Sequence, residues 1–364
     1  RLLKIDYEKE KKQLRTTYAV ESNLSSCTIK VTNPEVTNRQ LRDLFNTYNW
    51  NIVIGRIYSN GQLQLSHWDM TLSIGDVMML VGSEEDLNNA IEQIGERTNS
   101  NLEYDRTQFD VRRIFVSNED AVGKTLASLN INEKYNAIIT RIRRGDIEML
   151  ATGDTVLELG DRLRFIARRE DLKHLSEFFG DSYTAASKVN LFSFGLGIGL
   201  GLILGSIEIT FGPSFSFKLG YAGGPLIVGL ILGALRRTGP LVWSMPYSAN
   251  ITLQQIGLIL LLAGIGVSSG YSFIESLSLE GVWIFITSII ISVLTAFTIL
   301  AIGYKIVKMP FSLLMGIVSN QPAILDFASS RSGNRIPQVG YTMMFPIALI
   351  MKIVIAQILF ILLI

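Results

Sequence analysis

Met315-Gly316-Ile317-Val318-Ser319-Asn320-Gln321-Pro322-Ala323-Ile324-Leu325 is an apolar run broken at its centre by three polar side chains and a proline. Proline removes one backbone donor and its ring clashes with the carbonyl four residues earlier, so a regular helix does not run through it. The flanking sequence tells which solvent the break meets. Residues 190–210, 219–235, 251–269, 282–303 and 340–364 are five stretches near the length that crosses a bilayer, roughly 20 apolar residues. Together with 309–330 they predict that residues 189–364 form an all-α membrane region of five spans plus one broken or re-entrant helix. At membrane depth, irregular backbone is tolerated only where protein or a watery cavity surrounds it. Ser319, Asn320, Gln321 and Pro322 are therefore the leading candidates for a substrate-binding break, with donors and acceptors to offer a carboxylate or an ammonium group.

Further out, an ionisable residue in a membrane segment is a functional candidate by default. Asp326 lies one turn beyond Pro322, either at the site or already at the headgroups. Lys352 falls near the middle of 340–364, too far from either end to snorkel out easily, and must face a partner or water. A pair with Asp326 and a contact to a substrate carboxylate are both open to it. Gly223-Gly224-Pro225 makes a helix hard to continue and is expected to leave backbone groups free for a ligand. The other glycines of the first two spans fit close helix packing. Lys188, Arg236-Arg237, Lys305 and Lys308 fall on one side by the positive-inside rule, and 270–281, with Glu275 and Glu280, on the other. Arg331 and Arg335 join the basic side only if 309–330 dips in and returns.

The whole chain has 364 residues and a formal charge of +1, but the average hides a split. Positions 1–188 hold 25 Lys/Arg and 28 Asp/Glu, whereas 189–364 hold 8 and 4. The first part has a water-soluble composition; the second is too apolar to fold in water. A wholly soluble enzyme is excluded, and the balanced charge gives no bulk attraction to nucleic acid. One cysteine, Cys27, excludes a disulfide scaffold and a cysteine zinc site. His67 and His174 are far apart and read as structural. With no nucleophile–base pair, phosphate loop or metal cluster, no catalytic residue, cofactor or metal is expected. The opening Arg1-Leu2-Leu3-Lys4 has no initiator Met or signal pattern, so the chain is expected to be missing its beginning. Residues 1–23 read as a solvated linker helix.

The soluble part repeats at an offset of 85 residues. Ile74-Gly75-Asp76 recurs as Leu159-Gly160-Asp161, Glu85-Asp86-Leu87 as Glu170-Asp171-Leu172, and Arg56-Ile57 as Arg141-Ile142. Each copy, 24–98 and 107–180, reads as strand, short helix, strand, hairpin return, Gly-Asp turn, strand and closing helix. Arg141, Arg143 and Arg144 form a basic cluster that could grip a regulatory anion, although a solvated strand edge fits the same pattern.

The repeated Gly-Asp-centred ending resembles the TrkA C-terminal (RCK C) domain, which accompanies transporters and channels, binds small regulatory ligands and pairs with itself. The membrane part resembles the aspartate–alanine exchanger family of bacterial secondary transporters. Residues 220–233, 253–270, 315–325 and Val339-Gly340-Tyr341-Thr342-Met343-Met344-Phe345-Pro346 carry that resemblance. It implies antiport of small amino acids or related carboxylates across the inner membrane by a homodimer, with cytoplasmic TrkA-C domains. It also implies an elevator-like machine in which this region is one of two inverted repeats, the other preceding the soluble domains. Family members are usually threonine-rich where this chain has Ser319-Asn320-Gln321. The competing reading is a ligand-gated channel or cation-uptake subunit; Gly303-Tyr304-Lys305 and Gly340-Tyr341-Thr342 lack a potassium-filter pattern.

Overall fold

The computed structural model describes residues 5, 7, 10, 24–100, 102, 105–210, 216–275, 279–319 and 322–363. They divide into two units: Ser22–Ser193 with Leu235–Asn250, and Arg1–Glu21 with Phe194–Ala234 and Ile251–Ile364.

The first unit is a duplicated α+β fold. In the first copy, β1 (Leu24–Val31), α1 (Leu41–Tyr48), β2 (Ile52–Ser59), β3 (Gln62–Leu65), β4 (Val77–Ser83), α2 (Glu84–Ile94) and β5 (Gly95–Arg97) give an antiparallel sheet ordered β3-β2-β4-β1-β5. In the second, β6 (Phe109–Phe115), α3 (Leu126–Leu129), α4 (Ile131–Tyr135), β7 (Ala137–Arg144), β8 (Ile147–Leu150), β9 (Arg162–Arg168) and α5 (Arg169–Phe179) give the same order of equivalents, β6-β9-β7-β8. A short helix, α6 (Tyr183–Ala186), follows.

The 85-residue offset extends to individual hydrogen bonds. Val31 N–H donates to the Asp76 carbonyl at 2.8 Å, and Val116 N–H to the Asp161 carbonyl at 2.8 Å. Gly75 and Gly160 donate back to Val31 and Val116. Both glycines sit at φ near +90°, a left-handed turn that disfavours side chains. The aspartates close the turn by accepting the Ser73 and Glu158 amides. The Gly-Asp pair thus aims the strand that follows it, β4 or β9, back along the first strand of its copy.

Each copy has its own core, with Ile29, Leu44, Leu80 and Ile94 in one and Ile114, Leu163, Phe165 and Phe179 in the other. A third cluster lies between the copies, where Leu63, Leu65, Met79 and Val81 meet Ile138 and Ile166. Gly55 makes room for this contact, since a Cβ there would stand 2.8 Å from Ile166 Cδ1. The copies therefore pack sheet face to sheet face, covering apolar surface that each alone would expose.

Arg56 pins the connection between them. It is fully buried on β2, and its guanidinium donates to the carbonyls of Leu102 at 2.9 Å, Phe109 at 3.2 Å and Asp105. Burial lowers its pKa, against the opposing pull of Asp105 and Asp110. Arg56→Met would leave these carbonyls without donors, at a cost of about 2–4 kcal/mol. The expected outcome is a lower Tm and faster tryptic cleavage at Arg106; unchanged values would show that the linker holds without Arg56.

The second unit is helical. α7 (Leu191–Ser206) leads through the hairpin β10 (Glu208–Thr210) and β11 (Ser216–Lys218) to α8 (Gly220–Leu235). The small hairpin β12 (Arg237–Thr238) and β13 (Leu241–Val242) returns to the first unit. Then follow α9 (Tyr247–Glu275), α10 (Leu279–Lys305), α11 (Phe311–Val318), α12 (Pro322–Ser332) and α13 (Ile336–Leu363). Tyr183–Ser206, Tyr247–Ser272, Gly281–Lys305 and Ile336–Phe360 are long and apolar enough to cross a membrane. The expected second span forms only the 16 residues of α8, about 24 Å against a hydrocarbon core of about 30 Å.

The expectation that Gly223-Gly224-Pro225 interrupts the helix is corrected here. The helix continues through all three residues. A Cβ on Gly224 would collide with the backbone of Gly201 and Gly205 on α7, and one on Gly201 with Pro225. These small residues let two backbones touch, which is how helices gain packing where lipid supplies no hydrophobic drive. Pro225 sits in the second turn and forfeits only the bond to Tyr221, so no interruption follows.

Candidate functional site

α11 starts at Phe311 behind Pro310, which has no side chain able to cap it. Its first amides are capped from far away in sequence by Glu10. It ends at Val318, where Ser319 turns to an extended conformation (φ −70°, ψ 103°). Pro322 then opens α12, where a missing N–H costs nothing. Since Pro322 has no N–H, the Val318 carbonyl cannot receive its helical partner. Helix and break are thus both dictated by residues 318–322.

Ser319 is 3% exposed. Its N–H is shared between the Met315 and Gly316 carbonyls at 3.1 Å, and its hydroxyl donates to Met315 at 2.7 Å. The hydroxyl proton is thereby committed to the backbone, and the oxygen is left as an acceptor. Asn320 and Gln321 lie outside the described residues, and Pro322 is described by its backbone alone. Asp326 is exposed on α12, on the face opposite buried Leu325 and Ala328.

α11 is wedged between neighbours. A Cβ on Gly316 would overlap the Pro337 carbonyl, one on Gly340 the Leu313 carbonyl, and one on Gly303 the Leu314 side chain. This geometry also excludes an end-to-end α11–α12 rod. Such a rod would carry Ser332 about 24 Å from Gly316, and the next five residues could return at most about 17 Å. The chain therefore turns between the two helices so that Pro337 can lie on Gly316.

The remaining candidates do not join this site. Gly223 packs on Ile353 of α13, with its built Cβ 3.3 Å from Ile353 Cδ1. Ile353 lies 16 residues along α13 from Pro337, or about 24 Å. Lys352, its neighbour, is exposed and belongs to that end. Among the described residues no ion pair joins Lys352 to Asp326.

In the duplicated unit, the arginine cluster is largely neutralised from within. Arg144 holds Asp161 through two 2.7 Å bonds, Glu158 through another, and the Val156 carbonyl at 2.9 Å. Arg141 pairs with Glu148 at 3.1 Å, and Arg143 Nε donates to the Gly145 carbonyl. An anion would have to displace the buried Asp161 carboxylate and that of Glu158 to reach Arg144. Against the opposing effect of burial, the Asp161 bond and charge raise the Arg144 pKa. Burial raises that of Glu158, with Arg144 pulling down, Asp161 pushing up and Arg236 pulling down.

The segment 236–247 sits on this same face of the second copy. Val242, 2% exposed, joins its core; Arg237 donates to the Glu119 carbonyl at 2.8 Å and lies 3.7 Å from the Asp120 carboxylate. Tyr247 covers Gly145 and Pro246 covers Gly160. Among the described residues the first copy has no such cover. No described atom lies within 4 Å of a Cβ built on Gly75, and Ile74 is 58% exposed where its equivalent, Leu159, is 6%. Arg236-Arg237 and the repeat offset are the two sequence features that bear on this contact, but neither names a partner. Glu10 gave none, because its partners are 301 and 302 residues away.

Because Glu158's folded pKa lies above its ordinary 4.5, its stabilising contribution is complete below that value and is lost as pH rises through the folded pKa. Glu158→Gln should therefore flatten the fall of Tm with pH above about 4.5. Asp161→Asn, which leaves buried Arg144 half-compensated, should cost about 3–5 kcal/mol. Equal Tm losses for the two variants would contradict this assignment.

Comparison with known proteins places the chain. The family Asp-Al_Ex, described as "Predicted Permease Membrane Region", matches residues 193–361, and the TrkA-C domain matches 111–180. An uncharacterized transporter of Geobacter sulfurreducens is 42% identical over 99% of this chain and 66% of its own length. One of Symbiobacterium thermophilum is 38% identical over 98% and 67%. The chain thus spans about two thirds of the length of these relatives. Among solved structures, the RCK C domain of the potassium transport protein KtrA, in complex with cyclic diadenosine monophosphate, is 24% identical over 19% of this chain and 81% of that one, with a TM-score of 0.18. The chain is a multi-pass protein of the bacterial inner membrane, with its TrkA-C part in the cytoplasm.

Proposed function

The chain belongs to the family of bacterial transporters that carry this permease region, and on that premise we propose that it exchanges small amino acids or related carboxylates at the break 319–321. One observation carries the proposal: an apolar helix stops at Val318 and another starts at Pro322, with buried Ser319 extended between them. The last carbonyls of α11 carry partial negative charge, and the first amides of α12 partial positive charge. A zwitterion complements both, its ammonium toward the first and its carboxylate toward the second. Ser319 Oγ adds an acceptor, and Asn320 and Gln321 supply side-chain amides. Exchange follows if the loaded site alone changes the side it faces. The turn between α11 and α12 supports a re-entrant arrangement, which also keeps Arg331 and Arg335 on the basic side. The Gly223–Pro225 group serves helix packing in this reading.

The test is counterflow by the full-length protein in proteoliposomes. Uptake of labelled aspartate should require internal amino acid, and Asn320→Ala or Gln321→Ala should cut it at least about tenfold, the loss of one or two buried hydrogen bonds. Unchanged uptake by both variants would remove the site from 319–321. Large currents without counter-substrate would make the protein a channel.

The first copy is, on this reading, a second TrkA-C domain, supported by its shared strand order and hydrogen bonds. Regulation would pass through residues 236–247, which are seated on the second copy and continuous with α8 and α9. Arg237→Ala should change the exchange rate while leaving the KM for aspartate within about twofold, since a remote residue makes no substrate contact. A silent variant would leave the docking purely structural.

A further inference from the structure

The segment before the first repeat places one acidic side chain inside the helical unit. Glu10 is 9% exposed, and both of its carboxylate oxygens are used at the start of α11. Oε1 accepts the Phe311 amide at 2.7 Å; Oε2 accepts the Ser312 amide at 3.0 Å and the Ser312 hydroxyl at 2.6 Å. Ser312 itself is fully buried. Pro310 occupies the capping position and offers no side-chain acceptor, so without Glu10 two first-turn amides would face the interior unpaired. The carboxylate also meets the positive end of the helix dipole, where charge-assisted bonds are strongest.

α11 has only eight residues, about 12 Å from end to end. A displacement at its first turn is passed rigidly to Ser319. Its flanks hold it against sliding, because Gly316 and Gly340 bring backbone onto backbone at Pro337 and Leu313. Those contacts fix the middle of the helix, and the cap fixes the tilt of its start. We infer that Glu10 is a positioning residue for the 319–321 break, supplying from a segment about 300 residues away the cap that α11 lacks, and so setting where the break presents its polar groups. This rests on the exchange reading above only in treating the break as the substrate site.

The experiment uses the full-length protein and does not depend on transport. Cys27 is the only cysteine of the present chain, so Cys27→Ser, together with replacement of any cysteine elsewhere in the full-length protein, gives a clean background for Asn320→Cys. Two quantities are read in lipid vesicles: maleimide labelling at position 320, and amide exchange over 311–318. Glu10→Ala is expected to raise exchange at the first turn at least about fivefold, the equivalent of losing one cap, and to change the labelling rate by a similar factor. Glu10→Gln keeps one acceptor oxygen but sets an NH2 donor where the second oxygen accepted, so both readouts should fall between wild type and Glu10→Ala. If Glu10→Ala fails to fold, Glu10→Asp, shorter by one methylene, should show the same two changes in smaller measure. Unchanged exchange would overturn the cap. Faster exchange with unchanged labelling would reduce Glu10 to a stabilising cap and overturn the positioning role. A wild-type protein that moves no aspartate would sink the exchange reading and leave this result standing.

Discussion

Backbone amides and carbonyls in hydrocarbon have no water to turn to, and this constraint organises the helical unit. Long helices meet it internally. Pro225 and Pro346 each cost a long helix one bond without ending it, whereas Pro322 opens a new helix after α11 has stopped at Val318. The same rule acts at the other end of α11, where Pro310 cannot cap and a distant glutamate does so instead. Both ends of one eight-residue helix are thus exceptions, and the first is met by the Glu10 carboxylate. A protein that needed only a membrane anchor would gain nothing from either.

Close packing follows from the same cause. Because lipid is as apolar as leucine, side-chain burial gives helices little reason to associate, and contact must come from backbone approach. Gly201, Gly205 and Gly224 supply it between α7 and α8, and Gly316 and Gly340 between α11 and α13. Of the glycines that read as ligand contacts in the second span, Gly224 is placed in this way, and Gly223 packs on the Ile353 side chain.

The duplicated unit shows one fold under two sets of demands. Its copies share strand order, hydrogen bonds and the left-handed glycine before each aspartate, since these follow from local backbone geometry. They differ in what covers that turn. The second copy carries the inter-helix segment 236–247 and has a buried leucine beneath the turn; the first has an exposed isoleucine at the same position. Beneath the covered turn, half-buried Arg144 is held by buried Asp161 and by Glu158, so a cluster that reads as a ligand grip becomes an ion-pair network.

The sequence alone determined the division into soluble and membrane parts, the duplication at 85 residues, and the difficulty of running a helix through 319–322. Each of these rests on composition, spacing or covalent chemistry within a few residues. Only the tertiary structure decided which groups meet. It parted Lys352 and Gly223 from the break by most of the length of α13, closed Arg144 onto its own aspartate, and brought Glu10 to α11. Contacts between residues hundreds of positions apart depend on how helices turn and pack, and no local pattern of side chains encodes that.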